Sequence, residues 1–184
     1  VSYANPYNPD EVLLRAVFTA PSGRTWAIDG FYMEENRQSR WKVRFAPDET
    51  GEWTYFLSVD NGASGRSGDY AFTAVPSAHH GWIRASSENP RYLAHDDGHP
   101  FYGVGMCYPW NVSYGGLSQL AAWGANIFFY WNGTYDQSGN GGGRRLIESR
   151  ESGLGRYDQL KGARLDELIA WSEELGLMMA LVIW

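Results

Sequence analysis

A single cysteine, Cys107, stands in 184 residues. This excludes an internal disulfide and any metal cluster built on several thiolates. One thiol fits a cytosolic protein, and equally a secreted one that needs no staple. Basic charge is also scarce: 15 Lys and Arg against 21 Asp and Glu leave a net charge of −6. There is no basic run, and the densest pair is Arg144-Arg145, which argues against a nucleic-acid partner. No apolar run reaches the length of a membrane span. The longest, Leu175 to Trp184, has the length of a buried strand. The opening Val-Ser-Tyr-Ala-Asn-Pro lacks the pattern of a secretory leader and reads as a mature or trimmed end.

What is plentiful is aromatic surface, 16% of the chain, with nine Trp and twelve Tyr. Such rings fill β cores, and an indole face also packs on the apolar face of a pyranose. Two textures meet near residue 80. Before it, short runs alternate with period two. Val12, Leu14, Ala16 and Phe18 share one face of a strand, and Trp26 to Tyr32 is a weaker strand. Trp41, Val43 and Phe45 form a third, and Trp53, Tyr55, Leu57 and Val59 a fourth across the Pro47 to Gly51 turn. Tyr70 and Phe72 mark one more. This spacing of strands and turns predicts an antiparallel sandwich over residues 1–76, immunoglobulin-like in class. Residues 77–100 read as a linker and short hairpin with Asp96-Asp97-Gly98 as its turn.

From residue 101 apolar runs alternate with helical pattern. Phe101 to Cys107, Ala125 to Trp131 and Leu177 to Ile183 read as strands that are apolar on both faces. Leu117, Leu120, Ala121 and Trp123 mark a short helix stopped by Gly124. A longer helix spans Asp158 to Leu175, with Leu165, Leu168, Ile169 and Leu175 on one face and Gly176 as its stop. The order β-α-β-α-β predicts parallel strands covered by helices.

Two passages carry a family resemblance. Asn5-Pro6-Tyr7, Phe18 to Gly23, Gly30-Phe31-Tyr32 and Trp41 to Tyr55 resemble a β-sandwich of unassigned function that precedes barrel glycoside hydrolases in bacteria. Arg91-Tyr92-Leu93, Asp97 to Gly105, Ala125-Asn126, Leu165 to Leu168 and Glu174 to Leu177 resemble the opening of a cellulase-like or apiosidase-like (β/α)8 barrel. The second strand, Asn126 to Tyr130, departs from many cellulase-like enzymes in lacking an Arg near its end. The resemblance implies a sandwich followed by the first three β/α units of a TIM barrel, residues 101–184, in a chain that is a piece of a longer polypeptide. It implies a glutamate acid/base after the fourth barrel strand and a glutamate nucleophile after the seventh. Both lie beyond this chain, so none of its residues is assigned a catalytic role and the piece alone is expected to be inactive. It further implies a secreted, extracellular or periplasmic enzyme acting on polysaccharide or oligosaccharide, with no cofactor. The rest of the barrel would come from the same or a cleaved polypeptide.

Substrate contacts are expected where the strands end, at Tyr108-Pro109-Trp110-Asn111, Trp131-Asn132 and Trp184. Trp110, Trp131 and Trp184 offer rings to a sugar, and Asn111 and Asn132 offer hydrogen bonds to its hydroxyls. The alternative is that each Trp plugs a core or holds a loop. Residues 132–156 form a Gly-rich loop too long for a plain connector. Its Gly139 to Gly143 run lacks the Gly-Lys-Ser/Thr ending of a phosphate loop. Arg144 and Arg145 suit an acidic sugar or a solvated surface. Asp166/Glu167 and Glu173/Glu174 read as a solvated helix face, and Asp96-Asp97 as a structural turn. His79-His80, His95 and His99 lack metal-ligand spacing with a supporting carboxylate, so no metal is expected. Cys107 reads as a small core residue. Asn111-Val-Ser113 and Asn132-Gly-Thr134 match glycosylation acceptors, a pattern that arises often by chance. Two other readings stay open: a noncatalytic carbohydrate-binding or surface-attachment protein, and a sandwich serving only as a packing platform or oligomer interface.

Overall fold

The computed structural model describes residues 3–35, 38–109, 112–132 and 152–183. The chain divides into two compact units, Val1–Ala78 and His79–Trp184.

The first unit is built from β1 (Leu13–Thr19), β2 (Thr25–Asp29), β3 (Phe31–Glu35), β4 (Gln38–Lys42), β5 (Gly51–Asp60), β6 (Ser64–Arg66) and β7 (Tyr70–Ala74). One sheet runs in the order β2-β1-β5-β6, with β7 also paired to β5. A second, two-stranded sheet pairs β3 with β4. The arrangement is sandwich-like and antiparallel throughout. Period-two alternation sets its buried face. Ala16 pairs with Leu57 and Phe18 with Tyr55, while Trp53 pairs with Phe72. Ala16, Phe18, Ala20 and Trp53 are buried, with Val43, Phe45 and Tyr55 packed against them. Trp53 is fully enclosed and donates its ring N–H to Glu49 O at 3.0 Å, which satisfies its one polar atom. Phe18 stacks on Phe45 at 4.1 Å. The opposite face of the same sheet is polar and guarded: Arg66 sits 3.9 Å over the Phe56 ring, and Arg15 pairs with Asp29 at 2.6 Å.

Two expected strands differ in extent. Trp26 to Tyr32 splits at Gly30 into strands of different sheets. Gly30 donates its N–H to Leu14 O at 2.7 Å, and a Cβ there would lie 3.1 Å from Lys42 O. The chain crosses between sheets at a tight point between the Leu14 side chain and Lys42 O. Pairing of β4 stops at Lys42, so Val43 and Phe45 reach the core from the segment that follows the strand.

The second unit begins with β8 (Ile83–Ala85), β9 (Leu93–His95) and β10 (Pro100–Phe101), an antiparallel sheet of order β10-β9-β8. It continues with β11 (Gly105–Cys107), α1 (Tyr114–Ala122), β12 (Ile127–Asn132), α2 (Gln159–Glu174) and β13 (Met178–Ile183). The last three strands are parallel, in the order β11-β12-β13. Phe128 and Tyr130 of β12 are buried against Leu117 and Leu120 of α1 and Leu168 of α2, with Met179 and Leu181 of β13 alongside. Both helices therefore cover the same face of this sheet.

The expected opening of a TIM barrel is overturned. Thirteen strands and two helices make up the described residues, and most of the strands are antiparallel. The parallel strands form one open three-stranded sheet, not the repeating β/α units that close a barrel. The misreading has a physical source. Phe101 to Cys107 reads as one apolar strand, yet β10 turns back on β9 and only Gly105–Cys107 joins the parallel sheet. Cys107 is exposed on that short strand, not a core residue. Likewise Ile169, expected on the apolar face of its helix, is 44% exposed.

Helix ends follow local chemistry. Ser113 caps α1 through the N–H of Gly116 at 3.2 Å. Asp158 caps α2, accepting from the N–H groups of Leu160 and Lys161 at 3.0 and 3.3 Å. Gly124 and Gly176, at φ 86° and 66°, end the two helices. Partial burial pushes the Asp158 carboxyl upward, but Lys161 and the capped N–H groups outweigh it and hold its pKa below the ordinary value. A lowered carboxylate pKa stabilises the fold above the unfolded value, and that contribution fades as pH falls through the folded one. Asp158→Ala is therefore expected to cost about 1 kcal/mol at pH 7. The gap from the unsubstituted protein should close as pH drops below about 4, the ordinary carboxylate range. Urea melts of both proteins at neutral and acid pH check this; a gap independent of pH would contradict the capping role.

Candidate functional site

The C-terminal ends of the parallel strands form one rim. Backbone bonds set its level: Tyr108 N–H donates to Phe129 O at 3.0 Å and Trp131 N–H to Pro109 O at 3.3 Å. Trp131 pairs with Val182 and Asn132 with Ile183. Of the expected contact residues, Trp131 is thus at the rim with its side chain 39% exposed. Asn132 ends the same strand. Trp110, Asn111 and Trp184 lie outside the described residues, as do Arg144, Arg145 and most of the Gly-rich loop.

Strand alternation gives this sheet two unlike faces. Even-numbered Phe128 and Tyr130 point to the helices. Phe129 and Trp131 point the other way, in register with Ala180 and Val182, and Cys107 stands beside Phe129. Phe129 is 45% exposed. The helix-free face is thus an apolar strip that leads to the rim.

β11 reaches this sheet through two small-scale constraints. The Asn126 side chain accepts from Val104 N–H at 2.7 Å and donates to Tyr102 O at 2.8 Å, clamping the segment before the strand. At Gly105 a Cβ would fall 1.7 Å from Ile127 O, a backbone atom that cannot step aside. Only glycine permits the approach.

A second constellation surrounds the β9–β10 turn. His80 Nδ1 lies 2.6 Å from Asp97 Oδ2, and His99 Nδ1 lies 3.3 Å from the same oxygen. The His80 and His99 rings are 4.3 Å apart, and His95 lies 5.3 Å from His80. Asp97 Oδ1 accepts from His99 N–H at 3.0 Å. Chiefly His80, and then that N–H, hold the Asp97 carboxyl down to about 2. The adjacent Asp96 faces elsewhere. It accepts from Trp82 N–H at 2.9 Å and pairs with Arg84 at 2.5 Å, and those two bonds lower its pKa. The cleft beside this turn, lined by Arg84, Glu88, His95 and Asp96 among others, holds ≈ 180 Å³, below the roughly 300 Å³ at which ligand pockets begin. The sequence offers His80 no carboxylate because Asp97 is 17 residues away. The nearest signal is Asp97-Gly98-His99, an aspartate in a tight turn two residues before a histidine.

A family model described as a domain of unknown function, DUF5060, matches residues 1–60. No curated protein matches the chain. A crystal structure from Bacteroides vulgatus ATCC 8482, of a protein provisionally described as a glycoside hydrolase, is similar at 21% identity and a TM-score of 0.73. The likeness covers 100% of this chain and 38% of that one. This chain therefore shares the fold of just over a third of a longer protein. A purple acid phosphatase from yellow lupin seeds aligns over 97% of this chain and 31% of its own, at 12% identity and a TM-score of 0.28, too low to indicate a common fold.

The close approach at Gly105 yields a direct test. Gly105→Ala is expected to destabilise the second unit by about 1–3 kcal/mol, the usual range for overpacking. The thermal melt reads this. An unchanged melting temperature would mean that β11 does not hold the position described.

Proposed function

We propose that this chain is part of a glycoside hydrolase acting on polysaccharide or oligosaccharide, and that it contributes substrate-binding surface to that enzyme. The observation that carries the reading is the exposed aromatic edge of the parallel sheet. In open α/β sheets ligands bind beyond the carboxyl ends of the strands. Trp131 sits there at 39% exposure, with Phe129 below it on the helix-free face. The fold likeness of this chain to 38% of the Bacteroides protein supports the same direction. Trp131 would stack on a sugar ring, and Asn132, Trp110, Asn111 and Trp184 are proposed as further contacts. The enzyme would act outside the cytoplasm, where polymeric glycans are met.

The hydrolytic carboxylates are assigned to the remainder of the longer polypeptide. A retaining glycosidase needs two carboxyl groups about 5–5.5 Å apart, one with its pKa raised so that it can act as an acid. Among the described residues the carboxylates with displaced pKa values, Asp29, Asp96, Asp97 and Asp158, are all displaced downward. The same observation favours a second reading, a noncatalytic carbohydrate-binding protein. Sugar release by the full-length polypeptide, measured beside glycan binding, separates the two.

Trp131→Ala in the full-length polypeptide is expected to weaken glycan binding by about 1–3 kcal/mol, the size of a lost aromatic contact. Trp131→Phe should retain most of the affinity. The melting temperature should move little. A fall in stability with affinity unchanged would make Trp131 a packing residue and end the stacking role.

A further inference from the structure

We infer that His80, Asp97 and His99 form a binding site for one divalent transition-metal ion of the zinc class. The three side chains supply two imidazoles and a carboxylate, and one donor atom from each lies within 4.8 Å of the others. Ligands at ~2.0–2.2 Å from a tetrahedral zinc ion stand roughly 3.3–3.5 Å apart. His99 Nδ1 already stands at that spacing from Asp97 Oδ2, at 3.3 Å, while His80 Nδ1 at 2.6 Å must draw back from it, and both imidazoles are on exposed residues. His80 Nδ1 and His99 Nδ1 already converge on Asp97 Oδ2. A metal bound there would take imidazole nitrogen and carboxylate oxygen as ligands in place of this hydrogen bonding.

The backbone prepares this geometry. Asp97 Oδ1 is tied to the His99 N–H at 3.0 Å, which fixes the carboxylate and leaves Oδ2 toward the rings. Gly98, at φ 87°, makes the tight turn between the two ligands. On the other side Gly81, at φ 79°, lies so close to Asp96 that a Cβ would be 2.9 Å from it. With Asp96 holding Trp82 N–H, this pins the residue after His80 against the turn. Asp96 thus anchors backbone while its neighbour is kept for the imidazoles. Three protein ligands leave a coordination position for water, and the N,O donor set suits zinc and its late first-row neighbours over calcium or magnesium. Bound metal would staple the chain before β8 to the β9–β10 turn. This inference is independent of the glycan reading, and its test uses no sugar.

Titrating the chain with zinc chloride alone in a calorimeter is expected to give one saturable site. His80→Gln, Asp97→Asn and His99→Gln should each weaken it by about tenfold or more, at least the loss seen when a supporting outer-shell partner is removed. His79→Gln is expected to leave affinity unchanged. Zinc should raise the melting temperature of the unsubstituted chain and not that of the three ligand variants, with circular dichroism reporting that each variant is folded. Absence of saturable binding up to about 1 mM zinc would overturn the site. So would equal affinity in folded ligand variants, or an equal loss in His79→Gln.

Discussion

Parallel pairing is the constraint on which the second unit depends. Two parallel strands cannot be joined by a tight turn, so each pair needs a crossover that travels back along the sheet. Because β11, β12 and β13 lie in sequence order and crossovers share one hand, α1 and α2 fall on the same side. Phe128, with no exposed surface, is the contact point between that sheet and both helices. The helices are then tied to each other: the Tyr114 hydroxyl donates to Glu174 at 2.7 Å, and Arg164 reaches Val112 O at 3.0 Å while lying 4.5 Å over Trp171. Among the described residues neither helix packs on the opposite face, where Phe129 and Trp131 are 45% and 39% exposed.

The first unit solves its packing differently. Its sheets are antiparallel and need no helices, so the inner face is filled by rings. Phe18, Phe45, Trp53 and Phe72 contact one another in a single cluster. A layer of large flat side chains buries much area per residue, which suits a unit of this size without disulfides.

Much of this was legible where one physical signal acted alone. β5 follows from the alternation of Trp53, Tyr55, Leu57 and Val59, and α2 from its period with Asp158 and Gly176 at its ends. Legibility failed where tertiary pairing overrides a local pattern. Nothing in Trp26 to Tyr32 reports that Gly30 must pass between Leu14 and Lys42, and nothing in Phe101 to Cys107 reports that its two ends join different sheets. The barrel reading failed for a related reason. Apolar runs alternating with helical pattern specify parallel strands with crossovers, but neither their number nor closure. The place of Trp131 near a strand end was readable from the apolar run that leads to it. The His80-Asp97-His99 cluster was not, because His80, ahead of β8, meets the β9–β10 turn only through the pairing of β8 with β9.

The cation over Phe56 has a consequence for the surface of the first unit. A flat aromatic on the outer side of a sheet is a natural point for two copies of a protein to stick face to face. With the Arg66 guanidinium 3.9 Å above that ring, and Arg15 and Asp29 standing on the same side, any such contact would first have to strip water from fixed charges. The arrangement works as a gatekeeper against aggregation. A bulky strand-forming residue thus stands on the wet side of the sheet beneath a fixed charge.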